Sequence, residues 1–338
     1  MTRTLAVRLD SDGDVLLTGP AVRALAADGP VDLLVSRAGR AAAELLPGVD
    51  QVHVFDAPWS GYRPPPTDGA AIAALVQRLR ERTYERGLVF VSARQCPLPA
   101  ALVLRLAGVP ELAADCEEYP GSLLDLRHRR AEGRHEVEAA LDLAAAVGAR
   151  LPDGSDGRLA VRTPLPPVDH LVPGRGFVVV HPGASVPARA PAPEHARALV
   201  AALVEAGHQV VVTGARREAD LAAFCLVPGA VSVAGQTSLA ELAAVLAAAV
   251  AVVVGNTGPA HLAAAVGTPV VSLFSPVVPA ERWRPWGVPT VLLGDQRAPC
   301  AHSRARACPV PGHPCLTGID PAAVVGAVRQ LAWTEVLA

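Results

Sequence analysis

The sequence predicts an α/β protein built from two similar halves, each a parallel sheet covered on both faces by helices. Three observations carry that expectation. Short apolar runs alternate with helix-length segments along the whole chain, as in parallel strands covered by crossover helices. The 338 residues are 51 % hydrophobic but only 4 % aromatic, which fits Ala-, Val- and Leu-rich strands buried on both faces. A stretch over 152–176 holds several Pro and Gly residues without periodicity and separates two such series. A chain of this length has room for two domains, placed here at 1–165 and 166–338.

Taken in order, residues 4–9 read as a strand, 15–27 as a helix and 31–35 as a strand. A short helix over 40–46 precedes a strand over 51–55. Residues 57–69, APWSGYRPPPTDG, form a loop by their Pro and Gly content. A helix over 70–82, a strand over 87–92, and helices over 98–106 and 135–147 complete the first half. The second half opens with a strand over 177–180 and a helix over 194–206, with Pro193 near its first turn. Then follow a strand at 209–213, a helix at 217–224 and a strand at 230–234. Ser238 fits an N-cap for a helix over 239–249, with Glu241 at the capping-box position. A strand over 251–254, a Gly-Asn-Thr-Gly-Pro turn, a helix over 259–266 and a strand over 270–274 come next. The final helix, 321–331, is free in sequence terms to pack on either half.

Charge and hydropathy narrow the function. A formal net charge of −2 gives no general attraction to nucleic acid or anionic membrane. The longest apolar run, 242–254, falls short of the roughly 18 residues needed to span a bilayer. The opening MTRTLAVRLDSDGD lacks a charged-apolar-small signal pattern. A cytoplasmic enzyme with at most peripheral membrane contact is expected.

Four strand ends carry candidate chemistry. The turn after 251–254 lies where ligands sit in open α/β sheets, and free N–H groups at the new helix start favour an anion. There Thr257 offers a hydroxyl, Gly258 permits close backbone approach, and His261 lies one turn into the helix. A phosphate-bearing ligand is the first inference. After the strand at 177–180, His181-Pro-Gly-Ala-Ser185 is followed by Arg189. Ser185 and the loop amides suit a phosphate, with Arg189 as a bidentate clamp; the alternative is a loop with a solvated arginine. Neither GxxxxGK[ST] nor GxGxxG is present, which disfavours a Walker-type site or a NAD-linked dehydrogenase. In Thr213-Gly-Ala-Arg-Arg-Glu218, Glu218 either pairs with arginines on its own helix or accepts hydrogen bonds from ribose hydroxyls. At the end of the first strand, Asp14 is either an N-terminal helix acid or a carboxylate able to take a proton from an attacking hydroxyl. Asp10 and Asp12 compete for that role, and no second cluster of hard oxygen ligands accompanies them to make a metal site.

Two further features remain open. Cys300, His302, Cys308, His313 and Cys315 cluster near the end but lack the paired spacing of structural zinc sites. A loop of reduced cysteines beside the ligand site is the leading reading, and Cys96, Cys116 and Cys225 read as scattered reduced thiols. Arg127, Arg129, Arg130 and Arg134 either face an anionic acceptor or form a solvated basic loop.

In this order, RLDSDGDVLLTGPAVRAL, HPGASVPAR, TGARRE, GNTGPAHLAAAVGTPVVSLFSP and the Cys-Pro…His-Pro-Cys-Leu tail resemble glycosyltransferase family 9, the heptosyltransferases. The resemblance covers nearly the whole chain. It implies the GT-B fold, two Rossmann-like domains facing across a cleft with the donor held mainly by the second. It further implies inverting, metal-independent transfer of a sugar from a nucleotide sugar, typically ADP-heptose, with no separate cofactor. The acceptor would be a glycan, glycolipid or small-molecule hydroxyl. By resemblance Asp14 matches the general base, and Ser185 and Arg189 the phosphate loop. Glu218 matches the nucleoside contact, and Asn256, Thr257, Gly258, Pro259 and His261 the donor-phosphate turn. The chain departs from the family in carrying Asn256 for Asp, Arg189 for Lys, and Ala190-Pro-Ala-Pro193 where Trp and Pro are usual. A sugar-nucleotide epimerase of GT-B type and a non-catalytic nucleotide-sugar-binding homologue are the competing readings.

Overall fold

The computed structural model describes residues 2–92 and 95–336. The chain divides into two compact units between Arg162 and Thr163.

The first unit runs β1 (Thr4–Arg8), α1 (Asp12–Ala26), β2 (Val31–Val35), α2 (Arg40–Leu45), β3 (Val49–Val54), α3 (Gly69–Arg80), β4 (Arg86–Val89), α4 (Leu98–Leu106), β5 (Glu111–Asp115), β6 (Leu126–His128) and α5 (Glu136–Ala146). Its six strands are parallel in the order β3-β2-β1-β4-β5-β6. Strands β1 and β2 are buried along their whole length, as strands covered on both faces must be. One face packs Leu5, Val7 and Leu34 against Leu75 and Leu79 of α3 and Leu104 of α4. On the other side α1 packs against α5 and α2.

The second unit runs β7 (Val178–His181), α6 (Pro193–Glu205), β8 (Val210–Val212), α7 (Ala219–Cys225), β9 (Ala230–Ser232), α8 (Leu239–Ala247), β10 (Ala251–Gly255), α9 (Gly258–Ala265), β11 (Val270–Leu273), α10 (Ala280–Trp283), β12 (Thr290–Leu293), α11 (Pro314–Thr317) and α12 (Pro321–Val336). Its strands are parallel in the order β12-β11-β10-β7-β8-β9. Read from its own first strand, this is the same winding as in the first unit. The expected cap of α8 forms, with Ser238 Oγ accepting from Glu241 N at 3.2 Å and Glu241 Oε2 accepting from Ser238 N at 2.7 Å. Helix α12 packs on α6 and on β10, β11 and β12, with Val324, Val328 and Leu331 in that unit's core.

Three strands have no counterpart in the sequence reading. β5 is ELAAD, whose alanines lack the β-branched signature of a strand. β6 has only three residues and β12 only four, both half-buried, too short to show a period.

In each sheet the chain winds outward in opposite directions from two adjacent strands, β1 and β4 in the first and β7 and β10 in the second. The successive loops there leave the carboxyl edge on opposite sides, so a crevice opens between them, and ligands bind at this switch point. The Asp14 segment follows β1, the Ser185–Arg189 segment follows β7, and the Thr257 turn follows β10. Among the described residues no helix is long and apolar enough to cross a membrane.

Candidate functional site

At the first switch point Ser11 is the N-cap of α1, and its side chain makes no capping bond. Asp14 therefore sits inside the first turn, and its carboxylate does not cap the helix. Its Oδ1 accepts from Arg8 Nη2 at 3.1 Å and from Ser92 Oγ at 3.5 Å, and its Oδ2 from Ser11 Oγ at 3.3 Å. Its side chain is 25 % exposed, while Arg8, at the end of β1, is only 3 % exposed. The competing acids face elsewhere. Asp12 accepts from Ala42 N at 3.0 Å, tying α1 to α2. Asp10 lies 2.9 Å from Arg8 Nε and accepts from Gln95 Nε2 at 2.7 Å. Burial pushes the Asp10 carboxyl above its ordinary range, against the pull of Arg8. Of the two acids paired with Arg8, Asp14 is the more open to solvent, 25 % exposed against 13 % for Asp10.

Behind Arg8 lies a chain of alternating charge. Glu136, the first residue of α5, is buried, with Oε2 3.6 Å from Arg8 Nη2 and Oε1 2.7 Å from Arg130 Nη1. Arg130 also pairs with Asp115 at 3.0 Å, and Asp115 meets His128. Burial works against the Arg8 charge, but Asp10, Asp14 and Glu136 outweigh it and hold its pKa above the ordinary value. Most of the basic stretch is taken up by internal partners. Arg127 donates to the carbonyls of Cys116 and Glu117, Arg130 belongs to the buried chain, and Arg134 pairs with Asp142 at 2.7 Å. Arg129 is exposed, and the other three are partly buried.

At the second switch point a single 3-10 turn, Pro187–Arg189, follows the exposed Ser185. A methyl group at Gly255 would overlap the Arg189 carbonyl, so the end of β10 and the Arg189 turn touch because residue 255 has no side chain. This brings the two loops of the switch point together. Asn256 is buried. Its Nδ2 donates to Ser275 O and its Oδ1 accepts from Ser275 N, both at 3.1 Å. The side chain thus links the ends of β10 and β11 in both directions, which a carboxylate, having acceptors only, does not do. Thr257 is the N-cap of α9 and makes no side-chain capping bond, Pro259 lies in the first turn, and that turn contains no acidic residue. His261 is buried one turn in. A helix start with this composition suits an external anion.

Glu218 is brought to the same loops. Its Oε2 accepts from Ala215 N at 2.8 Å, and its carboxylate lies over Gly183, where an added methyl would stand 2.5 Å from Cδ. The ring of His181, the last residue of β7, bonds Thr213 Oγ1 through Nδ1 at 2.9 Å, with Nε2 3.7 Å from Glu218 Oε2. Burial, helped by Arg217, lowers His181 to about 4 despite Glu218, so at neutral pH the contact is between a neutral ring and a carboxylate.

The cysteine-bearing tail is tied to this region by backbone hydrogen bonds. Ala188 N donates to Arg306 O, His302 N to Pro276 O and Arg304 N to Val277 O, each at 2.8 Å. Cys300 and Cys315 are buried in the core, and all six cysteines are free thiols. Burial pushes the Cys315 thiol up to about 11. Among the described residues no three His, Cys, Asp or Glu side chains are grouped to hold a metal ion.

The sequence alone assigns no role to Arg8, Ser92 or Glu136, nor to His181, Gly183 and Gly255 within the motifs that contain them. Arg8 did carry a signal, since a lone cation in the apolar run TLAVRL must find buried partners.

Residues 72–313 match the family model described as glycosyltransferase family 9 (heptosyltransferase). The chain belongs to glycosyltransferase family 9. No protein of curated function matches the sequence. Solved structures resemble this family member over almost its full length. With E. coli ADP-heptose lps heptosyltransferase II the TM-score is 0.77 at 21 % identity, covering 99 % of both chains. With the family 9 glycosyl transferase from Veillonella parvula DSM 2008 it is 0.77 at 15 % identity, covering 98 % of this chain and 97 % of that one. With E. coli heptosyltransferase WaaC, solved with ADP-2-deoxy-2-fluoro heptose, it is 0.70 at 22 % identity, covering 100 % of both. The two parallel six-stranded sheets are those of the GT-B heptosyltransferase fold, and the family 9 protein is a glycosyltransferase.

Proposed function

We propose that this family 9 glycosyltransferase is an inverting, metal-independent enzyme that moves a heptose from ADP-heptose to a hydroxyl acceptor. The observation that carries the reading is the coincidence of the candidate residues with both switch points. An anchored carboxylate stands at one, and an anion-favouring turn stands at the other. Heptosyltransferases of the same fold have been solved with ADP and with a fluoro analogue of ADP-heptose, which supports the choice of donor.

In this mechanism the second unit holds the donor. Ser185, Arg189 and the start of α9 at Thr257, Gly258 and Pro259 meet the diphosphate, with His261 beneath them, and Asn256 keeps the turn in place. Glu218 accepts hydrogen bonds from the nucleoside's ribose. Asp14 removes the proton from the acceptor hydroxyl as its oxygen attacks the anomeric carbon from the side opposite the departing ADP. The bond between that carbon and the phosphate oxygen breaks, and its electron pair leaves with the diphosphate. Fixed donors aimed at this developing charge are commonly the largest contribution to such a rate. Because those donors meet the leaving charge, no metal ion is included in the proposal.

The test is ADP release from ADP-heptose over a panel of glycan, glycolipid and small-molecule alcohols, with Asp14→Asn alongside the wild type. The variant should bind ADP as tightly as wild type and lose on the order of 100-fold or more in turnover. Wild-type turnover in Asp14→Asn would refute the base assignment. Isomerisation of the nucleotide sugar without any acceptor would favour the epimerase reading.

A further inference from the structure

Building on Asp14 as the base, we propose that Arg8 is a positioning residue for the transfer. It fixes one oxygen of the Asp14 carboxylate and leaves the other, Oδ2, to take the acceptor's proton.

The geometry distinguishes the two oxygens. Oδ1 faces the protein interior, where Arg8 Nη2 lies at 3.1 Å and Ser92 Oγ at 3.5 Å, and those two donors are themselves joined at 2.7 Å. Oδ2 has one partner among the described residues, the exposed Ser11 hydroxyl at 3.3 Å. An aspartate carboxylate rotates through a broad range about its last torsion. A charge-assisted bond from a rigid guanidinium fork restricts that rotation. An acceptor hydroxyl arriving from solvent replaces the long Ser11 contact and meets Oδ2, because Oδ1 is already engaged.

Arg8 is in turn held so that it does not follow the charge it orients. Asp10 lies 2.9 Å from its Nε and Glu136 3.6 Å from its Nη2. Arg130 and Asp115 anchor Glu136 from behind. As the acceptor oxygen bonds to the anomeric carbon, the proton passes to Oδ2 and Asp14 becomes neutral. Arg8 still faces two carboxylates and stays in place. The base therefore returns to the same orientation after it releases the proton to solvent.

The test uses the full chain, with ADP release from ADP-heptose as the readout and water or the best alcohol of the panel as acceptor. Arg8→Lys keeps the charge but not the fork. It should lower kcat by about 100-fold, the loss expected from a misplacement near 1 Å. Donor KM and the calorimetric stoichiometry for ADP should stay at wild-type values. A merely structural role would instead lower stoichiometry and kcat in proportion. Because a buried cation among three carboxylates tolerates a change of shape and lost donors poorly, Ser92→Ala provides a second probe that leaves the cation untouched, and kcat should fall several-fold with donor KM unchanged. Wild-type kcat in folded Arg8→Lys overturns the proposal. If Arg8→Lys does not fold, wild-type kcat in Ser92→Ala overturns it. Such a result beside an inactive Asp14→Asn rejects only the positioning role, whereas an active Asp14→Asn rejects the base itself.

Discussion

Gly183→Ala should weaken nucleotide binding while leaving the fold intact. The added methyl would stand 2.5 Å from Glu218 Cδ and 2.6 Å from its Oε1, whereas ordinary contact begins at 3.4 Å. The carboxylate must therefore retreat by about 0.9 Å. It is the end of a flexible side chain, so the retreat costs the fold little, but the 2.8 Å bond from Ala215 N would stretch past useful hydrogen-bond length. If Glu218 accepts from ribose hydroxyls, those bonds are lost with it. A hydrogen bond to a charged group contributes about 1.5–3 kcal/mol, so ADP affinity should fall roughly 10- to 100-fold. Isothermal titration with ADP reads the affinity, and a thermal melt in parallel should stay within a few degrees of wild type. Unchanged ADP affinity in a folded Gly183→Ala protein would refute the assignment of Glu218 to the nucleoside.

Asn256→Asp should lower the stability of the second unit by about 1–3 kcal/mol, because the donor to Ser275 O is lost and a carboxylate oxygen takes its place; a melt at wild-type temperature would contradict that. Acid should also destabilise the protein through His181. Its folded pKa of about 4 lies below the ordinary 6.5, so the unfolded chain takes up the proton first. The stabilising contribution is complete above about pH 6.5 and is lost as pH falls toward 4, reaching about 3 kcal/mol. Urea unfolding between pH 7 and 4.5 should show this slope in the wild type and a flatter one in His181→Gln; equal slopes would sink the argument.

The winding of both sheets was legible because strongly apolar strands such as VDLLV and AVVVG alternate with helices bearing clear caps and stops. The strands that escaped notice are short or alanine-rich, and they form by pairing with a neighbour already in place, which no local pattern records. The candidate loops were legible because small residues, Pro and a polar side chain gather where a strand ends. The orientation of Asn256 was not. An amide and a carboxylate have nearly the same shape, and only the facing N–H and C=O of Ser275 distinguish them. The same holds for Arg8, whose partners come from residues 10, 14, 92 and 136. Its setting depends on tertiary distance rather than on spacing. The basic stretch leaves two readings open in sequence, a surface for anions or a solvated loop, because its counter-charges, Asp115, Glu136 and Asp142, lie in other segments.

The bond from Ala188 N to Arg306 O also bears on how the enzyme matures. Chains are made from the amino end, and domains fold as units during synthesis. Asp14 and its buried partners all lie within residues 8–136, so that half can assemble while the ribosome is still translating. The turn that carries Arg189 obtains one of its supports from a residue made more than a hundred positions later. A nascent chain stopped short of Arg306 would have the Asp14 cluster in place before the Arg189 turn was secured.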